Sequence, residues 1–148
     1  MEKNDSNLKY KEGDVVVLLF SNSNYREVRR ITGLDKWNPY DYYVLESVQD
    51  GEYHMSSCYE NNIEGLYEGK IDIDGDVWEP KFNIGDTILV HVEGFGDKPT
   101  WHTIYYIDYS VGTDTRLKDY NYRQYNIGGD KLVYEKDVLD VIRYGETK

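Results

Sequence analysis

Three aspartates alternate in "IDIDGDVWE", at Asp72, Asp74 and Asp76, with Glu79 close behind. Oxygen donors packed this densely are what calcium takes. A helix-flanked calcium loop, however, places its glycine after the third acid, and here Gly75 precedes it. No glutamate closes such a loop. The same letters describe a hairpin: Ile71 and Ile73 inward, Asp74-Gly75 as the turn, Val77 and Trp78 returning. The hairpin is the expected state, with no metal or cofactor. His54 and Cys58 are near enough in sequence to suggest a base and a nucleophile. No oxyanion donor or orienting group accompanies them, and no enzymatic activity is expected. His91 and His102 flank the 93–100 loop but lack a third ligand. The glycines of "IGGD" at 127–130 mark a turn, not a phosphate loop.

The aromatic residues are the stronger lead. There are 16 tyrosines in 148 residues. Trp37, Tyr40 and Tyr42 cluster around one turn; Trp101, Tyr106, Tyr109, Tyr120 and Tyr122 gather later in the chain. Strands send alternate side chains to opposite faces, so Tyr42 and Tyr43, or Tyr105 and Tyr106, cannot all enter a core. Some must reach a surface. Tyrosine offers area and a hydroxyl there at low entropy cost. These eight residues are the expected partner-binding set. The competing explanation is that tyrosines fill a small core and reach its rim with their hydroxyls.

The charge limits the partner. The formal net charge of −11 repels phosphate. Nucleic acid is therefore not the expected partner; a protein with a basic surface is. Arg26, Arg29 and Arg30 form the only basic knot, and charged positions along a strand face explain them. A single cysteine, Cys58, excludes an internal disulfide. No signal peptide and no apolar run of ~18 residues is present, so a cytoplasmic protein without membrane contact is expected.

Elements that position these residues repeat. "YKEGDVVVLL" at 10–19 is echoed by "FNIGDTILVH" at 82–91, setting Gly13 on Gly85 and Asp14 on Asp86. Further blocks follow in the same order. Val28 falls on Ile104 and Ile31 on Ile107. "YYVL" at 42–45 falls on "QYNI" at 124–127. Tyr59, Ile63 and Leu66 fall on Tyr134, Val138 and Val141. The spacing drifts between blocks, as loops absorb insertions while strands are held. Within each unit, Gly-Asp launches a strand: glycine accepts a positive φ and aspartate a backbone N–H. Val15, Val17 and Leu19 share one face of the first strand, Val16 and Leu18 the other, so it is covered on both sides. Each unit then reads strand, loop, strand, turn, strand, turn, strand, 3₁₀ turn, strand. The expected fold class is all-β.

The pattern of an aromatic, Gly-Asp, an apolar strand, an isoleucine strand and a closing "YEKDVLDVI" at 134–142 resembles SH3-like barrels of the KOW, Tudor and agenet type. The resemblance covers most of the chain and fits the second unit better; Asn62 stands where Asp137 stands. It implies two small barrels from an internal duplication, packed together: 1–69 the first, 70–80 an ordered connector, 81–148 the second. It also implies aromatic surfaces able to hold cationic side chains. Fold does not fix function. The expected function is a non-enzymatic binding or adaptor protein with an acidic, tyrosine-rich surface. One concrete version is a phage or mobile-element inhibitor that occupies the nucleic-acid site of a host defence factor. The alternative is a nucleic-acid-binding KOW-type module using Arg26, Arg29, Arg30 and surface tyrosines.

Overall fold

The computed structural model describes residues 9–19, 24–34, 41–49, 52–111, 122–128 and 131–145. It is all-β, with antiparallel pairing throughout. The strands are β1 Val15–Leu18, β2 Tyr25–Leu34, β3 Asp41–Gln49, β4 Glu52–Tyr59, β5 Ile63–Leu66, β6 Ile71–Ile73, β7 Asp76–Trp78, β8 Thr87–Val90, β9 Thr100–Thr103, β10 Tyr106–Ser110, β11 Tyr122–Asn126, β12 Leu132–Tyr134 and β13 Val138–Ile142. The expected 3₁₀ turns are present at Glu60–Asn62 and Glu135–Asp137. No described helix is long and apolar enough to cross a membrane.

Strands of the first half pair in the order β5-β1-β2-β3-β4. Those of the second half pair as β13-β8-β9 and β10-β11-β12. One long strand, β2, thus does the work that β9 and β10 divide between them. The details match. Ile31 donates its N–H to Asp14 O at 2.8 Å and accepts from Gly13 N at 2.7 Å; Ile104 makes the same pair with Asp86 O and Gly85 N at 2.9 Å each. β5 meets β1, and β13 meets β8, with the register shifted at the corresponding point. These bonds make Ile31 the counterpart of Ile104, and Val28 of Trp101. The sequence match of Val28 with Ile104 and of Ile31 with Ile107 is therefore out of register. The strand breaks at Ile104–Tyr105 in the second half, where β2 is continuous in the first. Among the described residues no sheet closes on itself, so the closed barrels expected from the sequence are open sheets.

Backbone pairing also joins the halves. Tyr25–Arg29 of β2 lies antiparallel to Tyr106–Ser110 of β10. One continuous run, β12-β11-β10-β2-β1-β5, results. Among the described residues, Tyr10, Val16, Leu18, Ile31, Cys58 and Ile63 form a small cluster in the first half. The larger core takes Val17 and Val28 from the opposite face of β1 and β2 and packs them with Ile71, Ile73, Trp78 and the apolar residues of the second half. β1 is therefore covered on both faces, as its residue pattern requires.

The β6–β7 hairpin supplies part of that core. Asp74 and Gly75 have φ of 51° and 92°, the left-handed pair of a tight two-residue turn. Asp72 Oδ1 accepts the Gly75 N–H at 2.8 Å, so this aspartate serves the turn. Ile71, Ile73 and Trp78 are buried, while Val77 is exposed.

The two Gly-Asp turns differ in one measurable respect. Gly13 and Gly85 share a φ near the same positive value, 96° and 94°. A Cβ on Gly13 would meet nothing within 4 Å, whereas one on Gly85 would lie 2.6 Å from Tyr144 Cδ2 and 3.0 Å from Arg30 Nη2. Gly13→Ala is expected to cost about 1 kcal/mol, the strain of the positive φ alone. Gly85→Ala must also displace Tyr144 from the Arg30 guanidinium, 4.9 Å from its ring centroid, and is expected to cost about 2 kcal/mol or more. Urea unfolding of both variants checks the difference.

Candidate functional site

Asp76 on β7, Tyr109 on β10, Val111 just beyond it, Arg123 on β11 and Tyr134 on β12 line an open cleft of about 240 Å³. Their placement follows from register. Tyr109 sits opposite Arg123 on one side and Arg26 on the other, so all three start from one face of the sheet. The Tyr109 ring is buried against Trp78, with centroids 5.6 Å apart. Its hydroxyl emerges at the cleft and donates to Asp76 Oδ1 at 2.6 Å. Burial, and then that bond, raises the Tyr109 pKa above its ordinary value, so the phenol stays protonated. Arg123 lies with its guanidinium carbon 5.7 Å from the Tyr109 centroid and Nη2 3.9 Å from Asp76 Oδ1. Arg123 and Asp76 are each about half exposed, and water screens such a pair to a fraction of 1 kcal/mol. A carboxylate and an aromatic face here hold a guanidinium, and hold it weakly.

The opposite face of β2 and β10 carries a polar cluster. Arg29 Nε lies 2.6 Å from Glu27 Oε1, and its guanidinium caps the Tyr106 ring at 3.9 Å. Tyr25 Oη lies 2.9 Å from Glu27 Oε2 and 2.7 Å from Asp108 Oδ1. Burial pushes Tyr106 up to about 12, with the Asp108 charge adding to it. The other two arginines of the basic knot are engaged as well. Arg26 is buried and pairs with Glu64 at 3.1 Å. Arg30 donates to Ile84 O at 3.2 Å.

Of the residues expected from the sequence to bind a partner, Trp37, Tyr40 and Tyr120 lie outside the described residues, as do the side chains of Tyr42 on β3 and Tyr122 on β11. Trp101 is exposed on β9. Tyr106 and Tyr109 point to opposite faces of β10, one under Arg29 and one at the cleft. Trp101, Tyr106 and Tyr109 thus do not share one surface. Asp76, Arg123 and Tyr134 join Tyr109 at the cleft without having been singled out as partner-binding residues. No local motif marks them, because they come from three different strands. His102 leans on Phe95, ring centroids 5.0 Å apart, with Thr100 Oγ1 2.6 Å from its Nε2; burial lowers its pKa. Cys58 is buried, and the His54 side chain lies outside the described residues. Among the described residues no three acidic, histidine or cysteine side chains group as a metal site. No family model matches this sequence, and neither a curated protein nor a solved structure is significantly similar to it.

Proposed function

We propose that this chain is a non-enzymatic binding protein, built as two SH3-like units from a duplicated sequence, that takes a cationic side chain of a basic protein segment into the cleft of Asp76, Tyr109, Val111, Arg123 and Tyr134. The observation that carries the reading is the chain's own Arg123, resting on the Tyr109 face beside Asp76. A site that holds one guanidinium loosely is suited to exchange it for another. The net charge of −11 favours basic partners over the whole surface. The matching strand order and matching turn bonds of the two halves support duplication. Engagement of Arg26, Arg29 and Arg30 by a carboxylate, a ring and a carbonyl weighs against a nucleic-acid patch.

Titration with a labelled arginine-rich peptide tests the proposal. Asp76→Asn is expected to weaken binding about fivefold, the equivalent of about 1 kcal/mol. Arg123→Gln, which removes the internal competitor, is expected to tighten it. Equal affinity of all three proteins would remove the cleft from the reading. A parallel titration with a single-stranded oligonucleotide that binds more tightly than the peptide, with steep salt dependence, would favour the nucleic-acid alternative.

A further inference from the structure

The strand pair that joins the two halves holds a problem of proton counting. Tyr25, Glu27 and Arg29 project from one face of β2 by alternation, and Asp108 stands directly opposite Glu27 on β10. Tyr25 Oη makes two short contacts, 2.9 Å to Glu27 Oε2 and 2.7 Å to Asp108 Oδ1. A phenol has one hydrogen to give. It satisfies one carboxyl oxygen and leaves the other contact as two oxygens with nothing between them. That contact becomes attractive only if the carboxyl brings its own proton.

The surroundings identify which one does. Glu27 has a cation in direct contact, Arg29 Nε at 2.6 Å. Asp108 makes no such ion pair among the described residues, and it is buried, with 7% of its surface exposed. Beside it on β11 stands Gln124, a neutral amide; beyond Glu27 and Arg29 on β1 stand Leu18 and Val16. The groups that act on its charge are Tyr25, Glu27 and Arg29 on β2, and Tyr106 on β10 feels that charge in turn.

We propose that Asp108 is a neutral carboxylic acid in the folded protein and that its proton closes a clasp across the seam: Asp108 donates to Tyr25, Tyr25 donates to Glu27, and Arg29 holds the single negative charge. Burial pushes Asp108 up to about 7 against the lowering pull of the Tyr25 hydroxyl, with the Glu27 charge adding to the rise and Arg29 opposing it. The direction of the pH effect follows. An unfolded aspartate releases its proton near pH ~3.9. Between there and about pH 7 the folded protein holds a proton that the unfolded chain has lost. The clasp's stabilisation is complete below that window and is lost as pH rises through the folded value. Above it, two carboxylates oppose each other across paired strands, where like charges repel. The seam is thus closed in acid and weakened in base.

Two measurements on the full chain decide the matter. Carbon-13 NMR of the Asp108 carboxyl should show a titration midpoint near neutrality; a midpoint in the ordinary aspartate range would overturn the proposal. Asp108→Asn copies the neutral acid, since its amide N–H can donate to Tyr25. It is expected to exceed the parent in urea unfolding by a margin that is larger at about pH 8.5 than at about pH 5.5, the ratio of unfolding constants growing about tenfold per pH unit from the unfolded value up to the Asp108 midpoint and holding level above it. Parallel pH profiles would sink the idea. Should the variant fail to fold, hydrogen exchange in the unaltered protein serves instead. Protection of the β2 and β10 seam amides should fall between those two pH values while that of β8 and β13 holds. A constant ratio between the two sets would count against the clasp.

Discussion

Trp78→Ala is expected to lower the unfolding free energy by about 3–5 kcal/mol, the cost of emptying a large aromatic site in a packed core. Trp78 is 4% exposed. Its ring meets Tyr109 and Tyr125 edgewise or tilted, each at 5.6 Å, and Tyr125 in turn meets Phe82 at 5.5 Å. The residue sits on a hairpin of six strand residues, Ile71–Ile73 and Asp76–Trp78, a span that by position alone is a connector. The core cluster it belongs to draws on both sides, with Val17 and Val28 from the first half and Ile88, Val90 and Ile107 from the second. Removing the indole therefore opens a void where the halves meet the hairpin, and the two rings beside it, Tyr109 and Tyr125, lose their partner. Urea unfolding followed by far-ultraviolet circular dichroism measures the loss without relying on tryptophan fluorescence. A loss under about 1 kcal/mol would mean that the hairpin lies on the core rather than in it. Val77→Ala, on the exposed neighbour, is the control and should change little.

That hairpin was legible in the sequence because alternation and an Asp-Gly turn are local signals. The same holds for the 3₁₀ turns and the Gly-Asp turns, each written within a few consecutive residues. Val15–Leu18 announced a strand covered on both faces because both faces are apolar. Other features needed contacts between distant residues. The pairing of β2 with β10 joins Tyr25–Arg29 to Tyr106–Ser110, and nothing in either stretch names the other. The slip in matching Ile31 to Ile107 has the same origin. "WHTIYYIDYS" offers two isoleucines in similar settings, and only the bonds to Asp86 and Gly85 select Ile104. Tyrosine abundance pointed to a surface, yet Tyr109 is mostly core, its ring against Trp78 and under Arg123 and its hydroxyl turned to Asp76 at the cleft. Asp108 is a case in between. An aspartate inside "YYIDYS" is out of place on an apolar strand, and that mismatch was a signal of a buried carboxyl. Its partners, Tyr25 and Glu27, were not readable without the fold.

Asp14 and Asp86 occupy the same place in the repeat, but their replacement by alanine is expected to differ severalfold in cost. Both carboxylates accept the backbone N–H that closes the turn, from Lys11 at 3.0 Å and from Asn83 at 2.8 Å. For Asp14 that bond is exposed, and its loss should cost about 1 kcal/mol. Asp86 is 2% exposed and carries two further bonds, from the Tyr144 N–H at 2.8 Å and from Arg143 Nη1 at 3.1 Å. Arg143 also donates to Lys81 O at 2.8 Å and lies over the Phe82 ring at 5.4 Å. The turn at Asp86 thus anchors the segment that leaves β13 beside Phe82. Asp86→Ala would leave two N–H donors without their acceptor and remove the carboxylate that pairs with Arg143, and about 3 kcal/mol is the expected loss. Asp86→Asn separates the terms. Its amide oxygen can still accept a backbone N–H, but it brings no charge to Arg143 and should fall between the two. Denaturant unfolding of the three variants gives the ranking. If Asp14→Ala and Asp86→Ala cost the same, the contacts of Arg143 and Tyr144 add nothing, and the two turns are equal in energy as well as in sequence.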